Sequence, residues 1–86
     1  MRHIGTLTEL KQGHQGVVVG IDSNKQAHSG DSMRRRLQDL GLIEGTEVVC
    51  VCKSPLGDPK AFGIRGAVIA LRAEDSSRVR VQWEQG

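Results

Sequence analysis

Strict alternation of apolar and polar positions occurs in RVRVQW, where Val79, Val81 and Trp83 fall on one face and Arg78, Arg80 and Gln82 on the other. A period of two marks a strand with one covered face, so the first three are assigned to the core. The spacing changes in MRRRLQDL. There Met33, Leu37 and Leu40 stand at i, i+4 and i+7 with only polar residues between them, which predicts an amphipathic helix capped by Asp31 or Ser32 and stopped by Gly41. Past that stop, Leu42 and Ile43 are placed to contact the last turn. GVVVGID, residues 16–22, is apolar on both faces and predicts a strand covered on both; TEVVCVCK, residues 46–53, predicts another. AFGI and AVIALR flank Arg65 and Gly66 in the manner of a tight hairpin. In TLTELKQG, Thr6 precedes Glu9 by three residues, the reciprocal capping pattern, and predicts one short helical turn ending at Gly13. AEDSS is long enough for another such turn. SNKQAHSGD, residues 23–31, is a polar connector.

Five short strands with one amphipathic helix after the first predict a mainly β fold: a small, strongly bent, five-stranded antiparallel barrel. Within it, KSPLGDPKAFGIRG, residues 53–66, packs three glycines and two prolines into fourteen residues. A phosphate-binding loop would continue through Lys and Ser or Thr into a helix. Here Gly66 leads instead into β-rich AVIALR, so the segment is read as a loop and hairpin corner in which Pro55 and Pro59 stiffen the chain and Gly57 and Gly66 take positive φ.

Composition narrows the function. At 86 residues the chain predicts one small domain, residues 1–86, with a single core. It contains no apolar run of membrane-span length and no secretory signal pattern, which predicts a cytoplasmic protein. Twelve Lys and Arg against ten Asp and Glu leave +2, with signs mixed along the chain, unlike a dedicated nucleic-acid surface. Phe62 and Trp83 are the only aromatic residues, too few for a Pro-rich-peptide groove or a base-stacking platform. In a regular strand Cys50 and Cys52 share one face about 6.6 Å apart, beyond the roughly 3.5 to 4.5 Å between Cβ atoms that a disulfide requires. Two unbridged, buried or half-buried thiols are expected. His3, His14 and His28 show no paired ligand spacing; His14 or His28 with Asp31 would supply ligand types suited to Fe(II), but nothing in their spacing enforces a site. No catalytic triad emerges from the Ser, His and Asp positions either. No cofactor, metal site or catalytic residue is therefore assigned.

Taken together, RRRLQDLGLIEGTEV, SPLGDP, the IRGAVIALR hairpin and the closing RVRV resemble the FeoA family of bacterial ferrous iron transport. The resemblance covers nearly the whole chain. It implies an SH3-like barrel acting as a non-enzymatic accessory to the ferrous iron transporter FeoB, a membrane protein with a cytosolic GTP-binding domain, and membrane contact only through that partner. The connector from Ser23 to Asp31 is longer than the family's usual link. Similar barrels form the C-terminal domains of iron-dependent repressors, so a metal-binding regulatory module is an alternative; another is a barrel binding nucleic acid through Arg34, Arg35, Arg36, Arg78 and Arg80.

For the partner surface the residues chosen are Arg34, Arg35, Leu37, Leu42 and Arg65. Leu37 is read as an apolar anchor within a basic rim, Leu40 as core, and Arg65 as a side chain projecting from the hairpin tip.

Overall fold

The computed structural model describes residues 1–22 and 32–84. Its strands are β1 (Arg2–Thr6), β2 (Gln15–Ile21), β3 (Glu47–Lys53), β4 (Lys60–Ile64), β5 (Ala67–Leu71) and β6 (Val79–Glu84), with helices α1 (Ser32–Asp39) and α2 (Ala73–Ser76) and a 3-10 turn at Leu7–Glu9. All ladders are antiparallel and the order across the sheet is β1-β6-β2-β3-β4-β5. The bent sheet has six strands where five were expected. No ladder among the described residues joins β1 to β5, so both remain edges.

The additional strand is β1. RHIGT carries one large apolar residue, Ile4, which is 53% exposed, so no alternation announces it. Its partner makes it a strand: β6, the strictly alternating segment, pairs with it from Arg2 and Glu84 to Thr6 and Arg80. His3 packs across this ladder against Trp83, ring centroids 4.8 Å apart. Trp83 is consequently half-buried at the margin of the core, while Val79 and Val81 lie fully inside it. The predicted capping pattern closes the next turn, where the Glu9 carboxylate accepts the Thr6 N–H at 2.6 Å.

The core collects the inward face of every strand from β2 to β6: Val18, Val48, Cys50, Phe62, Ile64, Leu71, Val79 and Val81. Leu7 and Leu10 close one side of it, and Leu37 and Leu42 close another. In β2 only Val18 of the three valines is fully buried, so the strand is half-covered on its second face.

The thiols depart from the regular-strand expectation. β3 pairs Cys50 with Phe62 and Cys52 with the adjacent Ala61, which leaves Val51 as an extra residue in a bulge. A bulge of one residue reverses the phase of the side chains beyond it. Cys50 is therefore buried and Cys52 exposed, and both are thiols.

The glycine- and proline-rich segment is the predicted corner. Gly57 donates its N–H to the Ser54 carbonyl at 2.8 Å, and Ser54 donates to the Pro59 carbonyl at 3.2 Å. Amides that a phosphate would require are thus consumed within the loop. Asp58 serves the neighbouring helix instead, its carboxylate accepting the Ala73 N–H at the start of α2 at 2.8 Å. That end of the barrel is tied further by Lys60, whose ammonium donates to the Thr8 carbonyl at 2.6 Å, and by the Thr8 and Ser76 hydroxyls, 2.7 Å apart.

Candidate functional site

The residues expected to form a partner surface lie along α1, at its C-terminal stop and on the β4–β5 hairpin. Helix α1 ends in a Schellman motif: Leu42 donates its N–H to the Leu37 carbonyl at 3.1 Å and Gly41 to Gln38 at 2.9 Å, with Gly41 at φ +104°. This satisfies two carbonyls that the helix cannot bond itself. The hairpin turn has φ +50° at Arg65 and +85° at Gly66, positive at both central positions as a two-residue turn following the strand twist requires.

These two features touch. A Cβ placed on Gly41 would lie 2.7 Å from Arg65 Cδ and 3.4 Å from Ile64 Cγ2, so the aliphatic stem of Arg65 runs over the glycine that stops α1. Arg65 remains exposed. Its stem does not project from the tip but folds back over the helix end.

Two of the chosen residues are corrected by burial. Leu37 is 1% exposed and Leu42 is fully enclosed; neither forms surface. Flanking arginines do not signal exposure in a helix, because residues at i±1 point about 100° away from the ridge between them. Leu37 sits mid-helix on the ridge that faces the sheet, and Leu42 takes the position after the stop that packs back on the last turn. Leu40, assigned to the core, is the half-buried member of the stripe together with Met33, since it lies beyond the last helical residue, Asp39. Arg34 and Arg35 are exposed on α1 as expected.

Between α1 and the end of β5 lies a groove of about 430 Å³ lined by Met33, Arg36, Leu37, Leu40, Ala70, Leu71, Arg72, Glu74 and Asp75. Its lining is more polar than apolar: Arg36, Arg72, Glu74 and Asp75 stand around the half-buried Met33 and Leu40. Arg36, Arg72, Met33 and Leu40 are the members missing from the expected surface. The i, i+4, i+7 stripe named the right helix face, but which stripe residue stays accessible depends on where the helix ends.

Arg78 and Arg80, invoked for phosphate contacts, turn to Asp22. The Arg78 guanidinium donates to the Asp22 carbonyl at 3.0 and 3.2 Å, and Arg80 lies 3.9 Å from the Asp22 carboxylate. They stand on β6 and its approach. Among the described residues no three His, Cys, Asp or Glu side chains gather into a metal site; His28, Asp31 and the remainder of the 23–31 connector lie outside them. No described helix is long and apolar enough to cross a membrane.

Comparison with known proteins places these features in a family. The model of the FeoA domain matches residues 5–82. A crystal structure of Stenotrophomonas maltophilia FeoA complexed with zinc, described as a prokaryotic SH3 domain protein with a suggested role as a ferrous iron transport activating factor, is similar at 32% identity and TM-score 0.77, covering 94% of this chain and 98% of that one. The solution structure of FeoA from Chlorobium tepidum is 30% identical at TM-score 0.77, covering 94% and 71%. An Fe(2+) transport protein A/Fe(2+) transporter FeoB fusion protein of Porphyromonas gingivalis is 29% identical over 76 residues, which are 88% of this chain and 8% of the fusion.

Proposed function

Because the chain belongs to the FeoA family, whose domain model spans residues 5–82, we propose that it is a non-enzymatic accessory of ferrous iron uptake that binds the cytosolic GTP-binding part of a FeoB transporter. One observation carries this reading: in Porphyromonas gingivalis a relative of this chain and FeoB are a single polypeptide. Covalent linkage raises the effective concentration of two modules to the millimolar range for short flexible linkers, and so favours a pair that works together even through a weak contact.

The contact surface that fits this role is the exposed arginine face of α1 with the adjacent groove. Arg34 and Arg35 steer an acidic partner, Arg65 covers the helix terminus, and Met33 with Leu40 offers apolar area inside the rim. Binding of the purified cytosolic part of the cognate FeoB, followed by calorimetry, tests the proposal. A saturable complex weakened by Arg34→Glu with Arg35→Glu supports it; no complex at millimolar concentrations refutes it.

A further inference from the structure

We propose that the loop between β3 and β4, residues 54–59, is a second arm of the FeoB contact with Leu56 as its apolar anchor. The inference rests on the proposed binding of FeoB and adds what FeoB must present there: an apolar pocket of leucine size. A single exposed leucine is common on protein surfaces. Leu56 is set apart by how it is held and by where it stands. It is 94% exposed, more than any other large apolar residue described except Met1 at 96%.

The support is rigid. Ser54 to Gly57 form a β-turn closed by the Gly57 N–H on the Ser54 carbonyl at 2.8 Å, with Pro55 in the second position, Leu56 in the third and Gly57 after them at φ +85°. Proline fixes the φ that the second position needs. Below the turn, Ser54 donates its N–H to the Pro59 carbonyl at 3.2 Å and closes the neck of the loop. On one flank the Asp58 carboxylate accepts the Ala73 N–H at 2.8 Å. On the other, Lys60, the first residue of β4, donates from its ammonium to the Thr8 carbonyl at 2.6 Å and the Leu10 carbonyl at 3.4 Å. The backbone under Leu56 is thus fixed before a partner arrives, and binding loses little loop entropy there.

The position of the loop joins it to the groove beside α1. Asp58 caps α2 at Ala73, and the residues on either side of that amide, Arg72 before it and Glu74 and Asp75 after it, form the α2 wall of the groove. A partner lying over the groove therefore meets α2, and Leu56 stands two residues from the side chain that caps it. The groove is mostly polar in its lining and leaves the surface short of the apolar centre that protein contacts usually have. Leu56 supplies that burial, while Arg34 and Arg35 attract and orient the partner.

Calorimetric titration with the purified cytosolic part of the cognate FeoB, on the wild-type chain and two variants, tests the anchor. Leu56→Ser weakens the complex about tenfold or more, as loss of one buried leucine does, and leaves the melting temperature unchanged, because so exposed a side chain supports nothing within the fold. Leu56→Met restores most of the affinity by filling the same pocket with a similar volume. In stopped-flow measurements the loss lies in the off-rate and the salt dependence of association is unchanged, unlike the effect of the α1 arginines. A complex that Leu56→Ser leaves at wild-type affinity overturns the anchor while FeoB binding stands; no complex from the wild-type chain at millimolar concentrations overturns both. Affinity lost together with melting temperature, or not restored by Leu56→Met, also overturns the anchor. So does binding to phosphatidylglycerol vesicles in the absence of FeoB that Leu56→Ser abolishes, which would assign Leu56 to a lipid surface.

Discussion

Arg65 is the one described non-glycine residue with positive φ, at +50°, a conformation that glycine or asparagine takes more readily. Its side chain lies over Gly41 at the end of α1. Arg65→Asn should therefore leave the melting temperature unchanged or slightly raised while weakening FeoB binding, measured by thermal unfolding and calorimetry on the same variant. Leu37 gives the opposite pattern. Truncating a fully buried leucine costs about 2 to 5 kcal/mol, and at about 4 to 8 °C per kcal/mol for a domain of this size Leu37→Ala should lower the melting temperature by on the order of 10 °C or more. Leu40→Ala, at the half-buried end of the same stripe, should cost clearly less, and the ranking of the two by differential scanning calorimetry checks the assignment.

Among the elements, the hairpin and the helix stop rest on glycines whose roles separate cleanly. A Cβ on Gly66 would meet nothing within 4 Å, so any penalty there is backbone strain alone. Gly66→Val should destabilise by more than about 1 kcal/mol and Gly66→Asn by much less, and equal melting temperatures would contradict the turn. Asp58 acts between elements by accepting the first amide of α2; Asp58→Ala should cost about 1 kcal/mol, as lost caps usually do, visible as a lower denaturant midpoint at unchanged slope. Much of this level was readable in the sequence, because turns, caps and periodicities are local. The Arg65–Gly66 turn, the Thr6–Glu9 turn, the Gly41 stop and the alternation of β6 each depend on residues within a few positions. β1 was not readable, since its strand character comes from pairing with β6, nearly the whole chain away. The bulge at Val51 was hidden for a related reason: TEVVCVCK looks regular, and only its register against β4 shows that one residue is extra.

For the molecule as a whole, the exposure of the residues chosen for a partner was half legible: Arg34, Arg35 and Arg65 are exposed, Leu37 and Leu42 buried. Periodicity identified the amphipathic helix, and the order of its motifs identified the family. Which of Leu37, Leu40 and Leu42 remains accessible depends on how an eight-residue helix sits against a bent sheet, and neighbouring charges do not encode that. The surface that remains is basic and partly apolar, so the proposed association with FeoB should slow as salt rises, with Arg34→Glu and Arg35→Glu reducing the on-rate and its salt dependence together. Stopped-flow association at several ionic strengths measures both.

The bulge in β3 gives the molecule two clocks. Cys52 stands in solvent and Cys50 is completely enclosed one bulge away. A thiol reagent should therefore label the first at the rate of an exposed cysteine and the second only when the sheet opens. Comparing the two rates in one sample reads the opening equilibrium of the core directly, with the neighbouring thiol as internal standard. Any partner that lies across β3 would slow the fast clock, whereas one that merely stabilises the fold would slow the other.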